Sequence, residues 1–237
     1  KDKLRYDLLY VRKHSLGFSI RSDEFEDTLI AKRYLPQFME VIHKIKKTQL
    51  RKIQLKDIAK KLCTGANVDN LDYVEDPKEG IPYILVKNVL SEGLSCSNFK
   101  YIRKSMAAKI ESSLVQEGDI IINRCGDAGL SVIVPDDLGV AAACGFSFIL
   151  RCKSKYNPYY VAAFLNSEYG RNQLKRIALG SVLEHITKEE LQQIWILFPE
   201  DQRIKTIANN FKHAVELRTK ARNFMKNVEG TFDRIVL

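Results

Sequence analysis

The stretch 115–135, VQEGDIIINRCGDAGLSVIVP, decides how the chain is read. Ile120, Ile121 and Ile122 form a short β-branched run behind the turn pair Gly118-Asp119. Val132, Ile133 and Val134 form a second run, closed by Pro135. The pattern is strand, glycine turn, strand. Between the runs lies Asn123-Arg124-Cys125-Gly126-Asp127-Ala128-Gly129. Two glycines three apart let the backbone turn sharply and approach a partner closely. Asn123 and Arg124 stand at the mouth of that turn. The expectation is a rigid hairpin whose tip is rich in hydrogen-bond donors.

Upstream of the hairpin, Leu55 to Leu62 reads as a short helix ended by Thr64-Gly65, and residues 66–80 as a polar loop. Ile81 to Val89 reads as a strand with Lys87 and Asn88 at its far end, and Phe99 to Ile102 as another. Ser105 is placed to cap a helix through Ser112. Downstream, Ala141 to Leu150 reads as a buried strand. Asn157 and Pro158 open a helix, and a second helix runs from about Tyr169 to Leu179 with Gly180 past its end. Thr187 and Glu190 form a capping box, and Ile194 to Phe198 is apolar up to Pro199.

The two ends of the chain differ in clarity. Leu8 to Val11 reads as a strand and Ser22 to Asp27 as a polar connection. Leu35, Phe38, Met39, Ile42 and Ile45 share one helical face, with Lys44, Lys46 and Lys47 at its end. At the C-terminus Ile204, Ile207, Phe211, Ala214, Arg218, Ala221, Met225, Val228, Phe232 and Ile235 alternate steps of three and four. Only Arg218 interrupts this apolar series, and the flanks are strongly charged. A coiled-coil seam is preferred over a buried bundle helix. A seam of that length calls for a partner helix, part of it from another chain.

Composition is that of an ordinary soluble globular chain, 45% apolar and 28% charged over 237 residues. No apolar run approaches a membrane span and no signal peptide is visible, so no membrane partner is expected. The start at Lys1 suggests excision from a longer polypeptide. Five cysteines without a C-x-x-C pair fit a reducing cytoplasm and argue against a disulfide scaffold or zinc finger. The net charge of +9 suggests an anionic partner. It is unevenly spread: residues 1–61 carry +8, 62–200 carry −3 and 201–237 carry +4. The central part therefore needs its cations gathered on one face to bind an anion.

Catalytic readings are weaker than structural ones. Asn157-Pro158-Tyr159-Tyr160 resembles the motif with which amino-methyltransferases hold a target amine. Its third position is Tyr rather than Pro, and no early glycine-rich loop offers a methyl-donor site. A capped helix accounts for it better. Ser181 and His185 lack a nucleophile elbow, and the four histidines have no metal-ligand spacing. No catalytic residue, metal or cofactor is expected.

A resemblance to a known family rests on an ordered series of short segments. They are Leu55 to Ala59 with Thr64-Gly65, Ile81-Pro82-Tyr83-Ile84, Lys87-Asn88-Val89 and Tyr101-Ile102. Glu117-Gly118-Asp119-Ile120-Ile121 and Arg124-x-Gly126-x-x-Gly129 follow. Asn157-Pro158-x-Tyr160, Leu165-Asn166-Ser167, Gly180-Ser181 and Pro199-x-x-Gln202-x-x-Ile204 complete the series. In this order they resemble the target recognition domain of specificity (S) subunits of Type I restriction–modification systems.

The resemblance implies an α+β fold: a mixed-sheet target recognition domain with a long C-terminal coiled-coil helix. It divides the chain into an N-terminal extension and helix (1–49), the recognition domain (50–199) and a spacer and dimerisation helix (200–237). It implies a non-catalytic, sequence-specific module that reads half of a bipartite site in double-stranded DNA and docks a DNA adenine methyltransferase (M) subunit. A restriction (R) subunit and a second copy or second repeat, held through the C-terminal helix, are further implied partners. The alternatives are the specificity end of a fused methyltransferase/restriction enzyme, or a catalytic methyltransferase fragment. Arg and Asn suit bidentate pairing with guanine and adenine, and Lys suits phosphate. The candidate DNA contacts are accordingly Lys87, Asn88, Lys100, Lys104, Asn123, Arg124, Ser181 and Lys188. Two uses are open to Arg124: reaching DNA, or pairing with Asp127 or another acid to stiffen the loop.

Overall fold

The computed structural model describes residues 17–20, 22–25, 28, 30–96, 99–180 and 183–236. In the last helix the described side chains run to 222, with 224, 225 and 228 beyond it. Leu8 to Val11, Ser181, Phe232 and Ile235 therefore lie outside what is described below.

The first half of the chain holds helix α1 (Pro36–Lys47), strand β1 (Arg51–Gln54), the single turn α2 (Leu55–Ile58) and strand β2 (Ala59–Thr64). Strands β3 (Tyr73–Val74), β4 (Gly80–Ile84), β5 (Val89–Leu90), β6 (Gly93–Leu94), β7 (Lys100–Arg103) and β8 (Leu114–Val115) follow. The second half holds β9 (Ile120–Asn123), β10 (Ser131–Ile133), β11 (Ala141–Ala143) and β12 (Ser147–Cys152). Then come α3 (Pro158–Asn166), α4 (Glu168–Ile177), α5 (Lys188–Gln192), β13 (Trp195–Phe198) and α6 (Asp201–Val236).

The predicted hairpin is the middle of the molecule. β9 and β10 pair antiparallel with Ile122 opposite Ser131 and Ile120 opposite Ile133. β12 and then β2 extend this to a four-stranded antiparallel sheet in the order β10-β9-β12-β2. Its strands β9 and β10 are buried on both faces, and strand alternation sorts the side chains. Ile120, Ile122, Ile133, Phe148 and Leu150 point into a core shared with the helices. Ile121, Val132 and Ile149 point the other way, onto Ile84, Val115, Ala141 and Ala143 of a five-stranded mixed sheet, β3-β7-β4-β11-β8. The layers are helices, sheet, sheet. The continuous Ile-Ile-Ile run is the signature of a strand covered on both sides, and each buried isoleucine contributes about 1.5–3 kcal/mol.

Several local expectations give way to these layers. The expected helix at 55–62 is one turn followed by β2, because pairing of Lys61 to Thr64 with β12 overrides the helical propensity of Ala, Lys and Leu. The expected strand 81–89 stops at Ile84, where the Leu85 N–H donates to the Asn88 side chain and closes a turn. The expected helix at 105–112 is a pair of 3-10 turns flanking buried Ile110. The run 141–150 is two strands in two different sheets, separated at Gly145-Phe146.

The helical expectations hold better. Asn157 caps α3 by accepting from the N–H groups of Tyr159 and Tyr160, and the Tyr160 hydroxyl donates to the Leu197 carbonyl. The Thr187–Glu190 capping box is present. α1 packs through Val41 and Ile45 into the same core as the sheet. The expected boundary at 49/50 thus falls between elements that share one interior.

α6 is 36 residues long, about 54 Å at 1.5 Å per residue. The single seam read from sequence divides into two. Ala208 is buried, and Ile204, Phe211 and Val215 pack beside it on the helical core. Ile207, Leu217, Phe224, Met225 and Val228 are exposed instead. Further along, the Arg222 guanidinium pairs with Asp137 at 2.8 Å. Apolar residues lie along two adjacent lines of the helix, and period alone does not say which one the domain takes.

Asp119 is fully buried and holds the entry to β9. Its two carboxylate oxygens accept from Arg151 Nε and Nη2 at 2.7 Å each, and one also accepts from the Gln116 N–H. Its backbone oxygen takes the Val134 N–H. The side-chain hydrogen bonds from Arg151 to the Asp119 carboxylate hold the guanidinium protonated above its usual range. Asp119→Ala is expected to cost about 2–4 kcal/mol, because it strips a buried partner from Arg151 and from the turn. A urea midpoint that falls with an unchanged slope checks this.

Candidate nucleic-acid interface

Strand directions bring one set of loops to one end of both sheets. β2 and β9 end there at Thr64 and Asn123, and β12 begins there at Ser147. β4 and β11 run parallel to each other and end there at Ile84 and Ala143. β7 starts there, since Lys100 pairs with Tyr83 and Arg103 with Gly80. The loops are stitched together by backbone hydrogen bonds. Arg124 N donates to Phe146 O at 2.9 Å, Gly65 N to Ser147 O at 2.9 Å, and Cys144 N to Ile84 O at 2.9 Å. Ile186 N donates to Arg124 O at 2.9 Å, which adds the 183–186 segment.

The turn at Arg124 depends on its glycines. Gly126 and Gly129 both have positive φ, 76° and 83°. A methyl group on Gly129 would sit 2.6 Å from Leu174 Cβ on α4. The loop is therefore held both by its own conformation and by the helix beneath it.

This geometry sorts the sequence candidates. Lys87 is exposed in the turn after β4, and that turn packs on the Arg124 loop: the Asn123 side-chain amide donates to Val86 O. Lys100 is exposed at the same end, its ammonium 5.9 Å from the Tyr73 ring. Arg124 stands with its guanidinium 6.0 Å from the Phe148 ring. The acid offered as its mate, Asp127, pairs with Arg171 at 3.1 Å instead. Among the described residues the Arg124 guanidinium has no ion-pair partner. Lys188 is exposed on α5, two residues past Ile186, whose N–H donates to Arg124 O.

Three candidates fall elsewhere. Asn88 is 2% exposed; its side chain accepts from Leu85 N and donates to Ser95 O, so it builds the turn that carries Lys87. Asn123 is 1% exposed and faces Val86. Burial takes both out of the set a partner can touch: polar groups at strand ends are recruited by the backbone of the next loop. Lys104 lies at the opposite end of β7 and donates to Lys78 O at 2.6 Å. Ser181 lies outside the described residues.

Asn67 and Phe146, both exposed at the Arg124 end, escaped the sequence reading. Phe146 sits in a run that reads as core, and its flanking Gly145 was the available signal. The chemistry assembled is that of a binding surface: two lysines and an arginine at strand ends and turns, with an exposed amide and a phenyl ring at the same end. Burial pushes the Cys125 thiol in this loop up, so it packs as a neutral group rather than serving as a thiolate nucleophile. Among the described residues, no group of three or more His, Cys, Asp or Glu side chains could hold a metal ion, and no helix is long and apolar enough to cross a membrane.

Fold and surface together define a module that presents cations at one end of stacked sheets. Residues 47–224 match the family described as the Type I restriction modification DNA specificity domain. That match covers most of the chain, and the chain belongs to this family.

Solved structures agree on the fold. The HsdS subunit from Thermoanaerobacter tengcongensis is 14% identical, with a TM-score of 0.53 over 82% of this chain and 46% of that one. The type IIG restriction endonuclease BpuSI is 10% identical, with a TM-score of 0.58 over 76% and 28%. A chain solved for complex assembly and conformational transition of the type I R-M system is 14% identical, at 0.50 over 86% and 50%. The chain thus spans half or less of these structures. No curated protein matches it at a significant level.

Gly129→Ala is expected to lower stability by about 1–3 kcal/mol through positive φ and the clash with Leu174. Thermal unfolding checks this, with Gly139→Ala as the comparison, where open space surrounds a similar φ of 69°.

Proposed function

We propose that the chain is a DNA sequence-specificity module that reads one half of a bipartite duplex site with the loop end of its two sheets. The observation that carries this reading is the convergence of Lys87, Lys100 and Arg124 on one end of a domain whose central sequence is net acidic. Arg124 reads a base or positions a phosphate, and the lysines and Lys188 neutralise backbone charge. The 1–49, 50–199 and 200–237 division serves this reading: an N-terminal helix braces the domain, and α6 projects from it.

Docking of an adenine methyltransferase, and of a restriction subunit beyond it, belongs to the same proposal, with the chemistry residing in those partners. The Asn157–Tyr160 motif supports this division of labour, because its asparagine oxygen is occupied as a helix cap. A second reading places the chain as the specificity part of a longer fused enzyme. It is favoured by the presence of the same fold within the type IIG endonuclease BpuSI, of which this chain covers 28%.

The outward stripe of α6 sets the spacing in this proposal. Leu217 is 51% and Phe224 69% exposed, and a second copy or repeat laid against them fixes the distance between two recognition ends.

Arg124→Ala is expected to weaken binding to the chosen half-site by about 1–3 kcal/mol and binding to random duplex less. Equal losses on both, in fluorescence anisotropy titrations, would make Arg124 a phosphate contact. Leu217→Asp with Phe224→Asp is expected to yield a monomer by light scattering that no longer responds to half-site spacing. An unchanged mass with spacing dependence retained would remove α6 as the ruler. Phe211 is unsuited to this test, since it packs on the chain's own core.

A further inference from the structure

Phe146 is 53% exposed, although it lies between two strands whose other large side chains are buried. It is not loosely held. Ser147 pairs with Asn123 in the antiparallel ladder, so the next pair outward is Phe146 with Arg124, closed by Arg124 N–H donating to Phe146 O at 2.9 Å. Side chains of such facing residues stand about 4.5–5.5 Å apart at Cβ. The turn beneath is fixed as well: Ser147 N donates to Cys144 O at 3.0 Å, and Ala66 N to Ala143 O at 3.1 Å. Gly145 lets the exposed Asn67 close over it, because a methyl group there would lie 2.3 Å from Asn67 Oδ1.

A large apolar ring held in water by rigid backbone has no role in the core. Its neighbours are a guanidinium with no ion-pair partner among the described residues and an exposed amide. These two are the groups suited to guanine and adenine edges in the major groove, and the third feature displayed there is the thymine methyl group.

We propose that Phe146 is a specificity-determining residue that packs its ring on the 5-methyl group of a thymine in the half-site, beside the base pair addressed by Arg124. This rests on the reading of the chain as a DNA specificity module and adds to it a named apolar contact. Selectivity then comes from a mixed surface. Arg124 and Asn67 supply hydrogen bonds, and Phe146 excludes water and discriminates thymine from cytosine, which lacks the methyl group.

The test starts from the half-site that the full chain selects from a randomised duplex pool. Each thymine in it is replaced in turn by deoxyuridine, which removes only the methyl group. One replacement is expected to weaken the wild-type chain about three- to tenfold and to leave Phe146→Ala unaffected, because that variant has already lost the contact. Phe146→Leu is expected to retain part of the methyl dependence. Leu71→Ala, which trims an even more exposed residue at the opposite end of the sheet, is expected to bind as wild type.

The proposal is overturned if the wild-type chain tolerates uridine everywhere, or if uridine costs Phe146→Ala as much as wild type. A Phe146→Ala variant that straightens bent DNA without methyl dependence would assign the ring to a wedge between base pairs and also overturn it. Failure of the wild-type chain to select any sequence would remove the parent reading too. Selection that survives with no role for Phe146 would remove this inference alone.

Discussion

The packing of one sheet on the other is the constraint on which the rest of the molecule depends. Ile121, Val132 and Ile149 leave the four-stranded sheet on the side away from the helices and meet Ile84, Val115, Ala141 and Ala143. Small alanines on β11 let the two backbones come close enough for their ends to be joined, through Ala66 N to Ala143 O and the Asn123 amide to Val86 O. Once the sheets are locked in this register, six strand ends arrive together. The loops between them then have no freedom to present their side chains elsewhere. Slippage of β9 by one residue would exchange Ile121 with its neighbours between the two cores.

Much of this was legible in the residues. The hairpin around Arg124 could be read because Gly126 and Gly129 separate two β-branched runs, and the helix starts at Asn157 and Thr187 because caps are local chemistry. Elements decided by distant partners were not legible. Lys60 to Cys63 has no strand pattern of its own and becomes β2 only because β12 lies beside it. The run 141–150 carries no mark showing that its halves enter different sheets.

The candidate surface divides along the same line. Lys87, Lys100 and Arg124 were identifiable as cations beside turns, yet that they share one end follows from the pairings Tyr83 with Lys100 and Asn123 with Ser147. Lys104 was indistinguishable from Lys100 in sequence, and only the direction of β7 sends it to the opposite end. Asn88 and Asn123 carry the right chemistry for base readout, but each is consumed by a neighbouring turn. α6 shows the same limit, because two apolar lines on one helix look like one seam until a domain has taken its side.

The central claim is that the Arg124 end of the stacked sheets, and not their opposite end, meets DNA. Amide hydrogen exchange of the chain with and without duplex carrying its selected half-site tests this most directly. Slowed exchange is expected at 66–67, 86–88, 124–127 and 144–147, with 78–80 and 103–106 unchanged. Protection confined to 78–80 and 103–106, around Lys78 and Lys104, would contradict the account.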